Sequence, residues 1–274
     1  MKKLLCILLA VFMLISFTAC GEEPAPQINE YIPNDLVEVA VAYICKGQAN
    51  IVTRQITDAQ LKKITLVCVF YDADGNMIGQ QKMINCTIKD EGPVVLWQTD
   101  CPENAVYVDS TVYATYDASD NAVKAERIDL WEKAATAAFD AATHKQTVTE
   151  KLSTNAALAV TNDYARIGTM SWRDLDVIVE IEPLSTNVKA VYLFALWFDK
   201  DDQPVKTDTC AYCENGEPML ANVSPEGAQN FIFKAPENAY QAKMIVQSVD
   251  LNDGTKWLNP YCYEWIVLNC ENAQ

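Results

Sequence analysis

The sequence predicts an all-β chain, two tandem β-sandwich domains joined by an amphipathic linker helix, and three observations predict it. The first is an internal repeat: residues 62–74, KKITLVCVFYDAD, match residues 189–201, KAVYLFALWFDKD, at an offset of 127. Collinear with it, CPENAVY from Cys101 matches APENAYQ from Ala235 at an offset of 134, so duplication accounts for both matches better than chance. The second is the spacing of short β-branched and aromatic runs between turn signals, DADGN at 72–76, DEGP at 90–93 and NDG at 252–254. The third is the alanine-rich stretch 128–145, IDLWEKAATAAFDAATHK, whose apolar stripe Ile128, Trp131, Ala135, Ala138 and Ala142 has helical spacing.

Taken in order, the chain begins with Lys2 and Lys3, an apolar run from Leu4 to Phe17, and Thr18-Ala19-Cys20. The run is too short for a membrane span, which needs about 20 apolar residues, and it has the layout of a secretory signal over residues 1–19. Residues 20–30 follow as a polar tether stiffened by Pro24 and Pro26. The first sandwich is expected over 31–126, the linker helix over 127–147 and the second sandwich over 148–274. In the helix, Asp129 and Glu132 fit an N-terminal capping pair, and His144 with Lys145 fits the C-terminal end, where the dipole favours positive charge.

Within the repeat, alternation divides each central strand into two faces. Ile64, Leu66, Cys68 and Phe70 correspond to Val191, Leu193, Ala195 and Trp197 on one face, and Val67, Val69 and Tyr71 to Phe194, Leu196 and Phe198 on the other. The change of offset between the two matched blocks belongs to a surface loop, where added length costs little.

Composition narrows the function classes. With 21 basic and 37 acidic residues the formal net charge is −16, and without residues 1–19 it is −18. Nucleic-acid binding needs clustered Lys and Arg that this chain lacks, and an anionic lipid surface would repel its body. A single histidine, His144, leaves no imidazole base for Ser-His-Asp or Cys-His catalysis at an expected helix end. No phosphate loop, dinucleotide fingerprint or metalloprotease helix occurs. The expectation is a chain that is not an enzyme and needs no cofactor.

Two segments resemble known families. SFTAC, ending at Cys20, resembles the lipobox of bacterial lipoproteins, which implies acylation of Cys20 and attachment to the outer face of the cell membrane through lipid. The run CVFYDADGNMIG, strand then acidic hairpin, resembles the FxLYD-type, immunoglobulin-like domains of exported proteins of Gram-positive bacteria; ALWFDKDDQPV is similar but lacks the glycine. The resemblance implies a small immunoglobulin-like sandwich used as an extracellular module, with no catalytic residues to carry over.

Cysteine is the most conspicuous candidate chemistry. Cys45, Cys68, Cys86 and Cys101 fall in the first half, Cys210, Cys213, Cys262 and Cys270 in the second, and in an exported chain four per half suggest disulfides. Cys68 aligns with Ala195 and reads as a buried free thiol, while Cys86 aligns with Cys213 if the first offset persists. The Cys210-Ala-Tyr-Cys213 motif allows three readings: structural disulfide or unpaired thiols, half of a zinc site with Cys262 and Cys270, or a redox dithiol. Wide spacing of Cys262 and Cys270 in a strand-like segment, and the lack of a βαβ pattern, favour the first. Asp72, Asp74 and Asn76 offer alternating oxygens, yet the glycine and glutamate of a calcium loop are misplaced, and hairpin turn chemistry explains them.

Among the aromatics, Trp97, Trp197 and Trp265 sit in apolar runs, whereas Trp257, beside NDGTK, is the candidate for ligand contact. The expected function is a lipid-anchored, non-catalytic binding or scaffold module for a protein or cell-wall glycan. The alternative is a solute- or glycan-capturing lipoprotein accessory to a transporter.

Overall fold

The computed structural model describes residues 34–45, 47–88, 94–125, 139–209 and 213–270. The expected signal segment, Cys20 with its tether, residues 128–138 of the expected helix, and Cys210 lie outside the described residues.

The fold is all-β. In the first half, β1 (Val37–Cys45), β2 (Gln48–Gln55) and β5 (Val94–Asp100) form an antiparallel sheet in the order β1-β2-β5. Strands β3 (Lys63–Tyr71), β4 (Met77–Thr87), β6 (Tyr107–Tyr116) and β7 (Ala122–Ala125) form a second in the order β4-β3-β6-β7. The second half repeats this plan. Strands β8 (Ala165–Arg173), β9 (Asp176–Pro183) and β12 (Gln229–Lys234) make the small sheet. Strands β10 (Val188–Phe198), β11 (Gly216–Asn222), β13 (Gln241–Leu251) and β14 (Lys256–Leu258) make the larger one, in the order β11-β10-β13-β14. Strand for strand, the two halves have the same order, which is the duplication seen in three dimensions.

The two faces of the central strands do what alternation predicts. Ile64, Leu66, Cys68 and Phe70 enter the core between the first two sheets, and Val191, Leu193, Ala195 and Trp197 enter the equivalent core of the second half. On their other faces, Val67, Val69 and Tyr71 pack against Phe139 and Tyr107, and Phe194, Leu196 and Phe198 pack under helices. Burial on both faces explains why β3 and β10 read as nearly unbroken apolar runs rather than as half-polar strands.

The repeated turns have a common chemistry. The Asp72 carboxylate accepts from the backbone N–H groups of Asp74 (2.9 Å) and Asn76 (2.8 Å), and Asp117 does the same for Ser119 (2.8 Å) and Asn121 (2.9 Å). Asp199 repeats it with Asp201 (2.8 Å) and Gln203 (2.9 Å). The Asn76 side-chain amide, donating at 3.1 Å, and the backbone bonds hold the Asp72 pKa below the usual carboxylate range, and the Asn121 backbone and side-chain amides do the same for Asp117. In the PENA tetrapeptides, Ala105 N–H donates to Pro102 and Ala239 N–H to Pro236, with Asn104 and Asn238 at φ +67° and +69°. Asparagine tolerates that left-handed position, which gives the shared tetrapeptide a backbone reason.

The residue pairings locate the change of offset. Ile64 pairs with Cys86, and its counterpart Val191 pairs with Ala221. Cys86 therefore corresponds to Ala221, not Cys213. The extra length lies between β10 and β11, where residues 199–215 replace the tight 72–76 turn, and Cys213 belongs to that insertion.

The helices depart furthest from expectation. Helix α1 is Ala141–Ala159, so the expected helix overlaps it over 141–147, and α1 continues into residues assigned to the second sandwich. Asp140 caps it, its carboxylate accepting from Ala142 and Thr143 N–H at 3.1 Å each. His144 consequently sits in the first turn, not at the C-terminal end. Helix α2 is Cys262–Asn269, in the segment read as strand-like, and it carries Trp265.

Both helices pack against sheets of both halves. Leu152 of α1 and Val267 of α2 pack on Ala40, Val41, Val52 and Val94 of the first half. Ala156, Ala159, Trp265 and Ile266 pack on Phe194, Leu196 and Ile245 of the second. Buried Asn259 joins three elements, its amide donating to the Ala159 (2.8 Å) and Val246 (2.7 Å) carbonyls while its Oδ1 accepts from Tyr261 N–H (3.1 Å).

Candidate functional site

A cleft opens along the side of the first sandwich, where β1 and β6 meet the start of α1. Among the described residues β7 pairs with β6 at 114–116, and the earlier part of β6 lies beside β1. The cleft has two lobes of about 230 and 400 Å³ that share Ala42, Val108, His144 and Val148. The smaller lobe is apolar, bounded by Tyr43, Ile44, Leu152 and Val267, with exposed Val106 and Leu268 at its mouth. The larger is mixed, with Glu38, Asp109, Ser110 and Lys151 as polar groups among valines of β1 and β6.

Asn34 closes the larger lobe. Its Oδ1 accepts from Leu36 (2.9 Å) and Val37 (3.1 Å) N–H, which spends the oxygen on the chain's own turn. Its Nδ2 is buried and has no hydrogen-bond partner among the described residues. A buried donor in that state favours a ligand that presents an acceptor.

His144 stands at the junction of the lobes in an aromatic group. Its ring lies 5.0 Å from Phe139 and 6.2 Å from Tyr107, and Phe139 stacks on Tyr71 at 3.9 Å. Burial lowers its pKa, opposed by the Asp109 carboxylate. The unfolded chain therefore takes up the proton first, near the ordinary value of 6.5. Stability owed to neutral His144 is complete above that value and is lost as the pH falls from it through the lower folded-state value. Urea unfolding midpoints at about pH 7.5 and about pH 5.5 should fall further for the wild type than for His144→Phe. Equal falls would remove His144 from the pH response.

At Glu38 the larger lobe borders an ionic cluster that crosses the helix layer. The Arg54 guanidinium, on β2, pairs with Glu38 (2.5 Å) and with Glu264 of α2, donates from Nε to the Pro260 carbonyl (3.0 Å), and lies over the Tyr261 ring at 4.4 Å. Glu264 Oε1 also accepts from Asn155 of α1 at 3.1 Å, and the Glu264 side chain is fully buried.

The cysteines separate into distinct settings. Cys68 and Cys86 are buried in the first core, where burial pushes their thiols up to about 11 and about 12, and it raises Cys101 as well. Raised values keep these groups protonated and poorly nucleophilic. Cys45 ends β1. Cys213, Cys262 and Cys270 belong to one buried apolar cluster at α2, with Cys262 at the helix start and Cys270 at its end. Only the zinc reading groups them, and sequence spacing counts against it.

Trp257 is half-buried rather than fully exposed; it pairs across from Val249 and lies 5.4 Å from Tyr164. It is thus part of the wall of the second core and does not line the cleft. The cleft itself was missed at the sequence level, because nothing local marks a strand, a second strand and a helix that meet only after folding. No protein-family model, curated protein or solved structure matches this chain, whose function is therefore read from its own geometry.

Proposed function

We propose that this chain is an exported lipoprotein, held on the outer face of the cell membrane by an acylated Cys20 and acting as a non-catalytic binding or scaffold module for a protein or cell-wall glycan. The observation that carries the binding role is the two-lobed cleft along β1 and β6, an apolar recess joined to one that adds polar and charged groups. Such a combination supplies contact area and orientation together. The helix layer supports the scaffold role, since it packs on both sandwiches and limits swing between them. The immunoglobulin-like, two-domain reading fits the repeated strand order, and the lipobox-like SFTAC supports the anchor.

A second reading, capture of a solute or glycan fragment for a transporter, is favoured by the unpartnered Asn34 Nδ2 in the larger lobe. One experiment addresses both. Residues 21–274 are immobilised as wild type and as Val148→Arg, which fills the junction of the lobes, and incubated with envelope and cell-wall fractions of the host. A saturable partner retained by the wild type and lost by the folded variant supports the reading, and its size separates macromolecule from solute. Equal retention by both would overturn the cleft as the binding face. In the host, a labelled fatty acid should enter the wild type and not Cys20→Ser; labelling of both would remove the anchor from Cys20.

A further inference from the structure

The insertion between β10 and β11 brings Cys213 against Cys270, just beyond α2. Their sulfurs lie 2.9 Å apart although the residues are 57 positions apart in sequence. Two thiols in ordinary contact sit farther apart than this, and a disulfide bond is about 2.05 Å long. Less than about 1 Å of further approach separates the pair from that length.

The surroundings hold the two sulfurs together. Both address one acceptor, Asn215 Oδ1, at 2.7 Å from Cys213 and 3.5 Å from Cys270. Asn215 is fully buried and its amide donates to the Trp197 carbonyl at 3.4 Å, so the acceptor is fixed to the central strand of the second half. The first half has nothing equivalent, because its β3–β4 connection is the short 72–76 turn.

We infer that Cys213 and Cys270 form a disulfide that ties the β10–β11 insertion to the end of α2. In the step, each thiol loses its proton, the S–S bond forms, and two electrons pass to an oxidised dithiol or glutathione disulfide. That oxidant's own S–S bond breaks to two thiols, by way of a mixed disulfide. Asn215 gives up two weak S–H donors, a small loss against a cross-link that closes a long loop. Both cysteines are buried, at 2% and 4% exposure, so the reaction occurs during folding or when the segment after α2 opens locally. The inference concerns the residues themselves and does not rest on the proposed export.

The test uses the purified full mature chain. It is equilibrated with glutathione disulfide, quenched with an alkylating reagent under denaturing conditions, and digested without reduction. The expected product is a peptide pair linked through Cys213 and Cys270, accompanied by a rise in unfolding temperature of roughly 5–10 °C over the reduced protein. Alkylation of both residues, or linkage of either one to Cys210 or Cys262, would overturn the assignment. Peptide mapping of the wild type needs no variant to fold. Cys270→Ser, where it folds, should erase the temperature difference between oxidised and reduced protein; an undiminished difference would place the responsible bond elsewhere.

Discussion

Arg54→Met is expected to destabilise the protein by about 3–5 kcal/mol, the cost of leaving a buried charge without its counterion. The Glu264 side chain is 0% exposed and the Arg54 side chain 12%, so water screens little of the interaction. Without the guanidinium, Glu264 keeps Asn155 as its only other hydrogen-bond partner among the described residues, while its Oε2 is already unpartnered there. The double variant Arg54→Met, Glu264→Met should recover most of the loss, because the pair as a whole contributes far less than either half costs when orphaned. Urea unfolding of the two single variants and the double closes the cycle. A loss below about 1 kcal/mol for Arg54→Met would show the pair to be solvated and the helix layer to be held by apolar packing alone.

Trp197→Ala should be nearly as damaging, at about 3–5 kcal/mol. Trp197 is fully buried on the inner face of β10, meets Trp172 edge to face at 6.1 Å, and donates from Nε1 to Glu217 at 3.1 Å. Truncation removes that packing from a dense core and leaves a cavity that neighbouring strands, fixed in register on both sides, cannot fill. Trp197→Phe should cost less, about 1–2 kcal/mol, since Phe70 occupies the same place in the first half's framework. Denaturant midpoints at constant slope provide the comparison. If the two substitutions cost the same, the indole bulk is not what fills that core.

What the sequence revealed follows from how local each signal is. Strand faces were readable on β3 and β10 because alternation is a property of neighbouring residues, and duplication let each half check the other. The acidic turns and PENA were readable because a side chain and its own backbone settle them within five residues. Helix α2 was not. CYEWIVLN is apolar and β-branched enough to pass for a strand, and five of its residues are buried, so no polar face marks a helical period. The end of helix α1 was placed too early because His144 and Lys145 read as a C-terminal turn, whereas the Asp140 cap makes them part of a first turn and the helix runs on to Ala159. The cleft, the Arg54–Glu264 pair and the Cys213–Cys270 contact were illegible for one shared reason. Each joins residues far apart in sequence, and spacing alone does not record which edges and loops meet.

The separation of Arg54 and Glu264, 210 positions, bears on the order in which the chain matures. Strand β2 is made early, and its guanidinium waits for a carboxylate synthesised near the other end. Until then the sheet surface beneath α2, with Val52 and Val94 among its apolar residues, remains uncovered on the nascent chain. A chain released in this state exposes an oily face to its neighbours and depends on α2 arriving to cover it. Synthesis of α2 after the sheet it covers means that a chain broken off before it leaves Val52 and Val94 exposed, the kind of apolar surface by which quality-control proteases and chaperones recognise unfinished proteins.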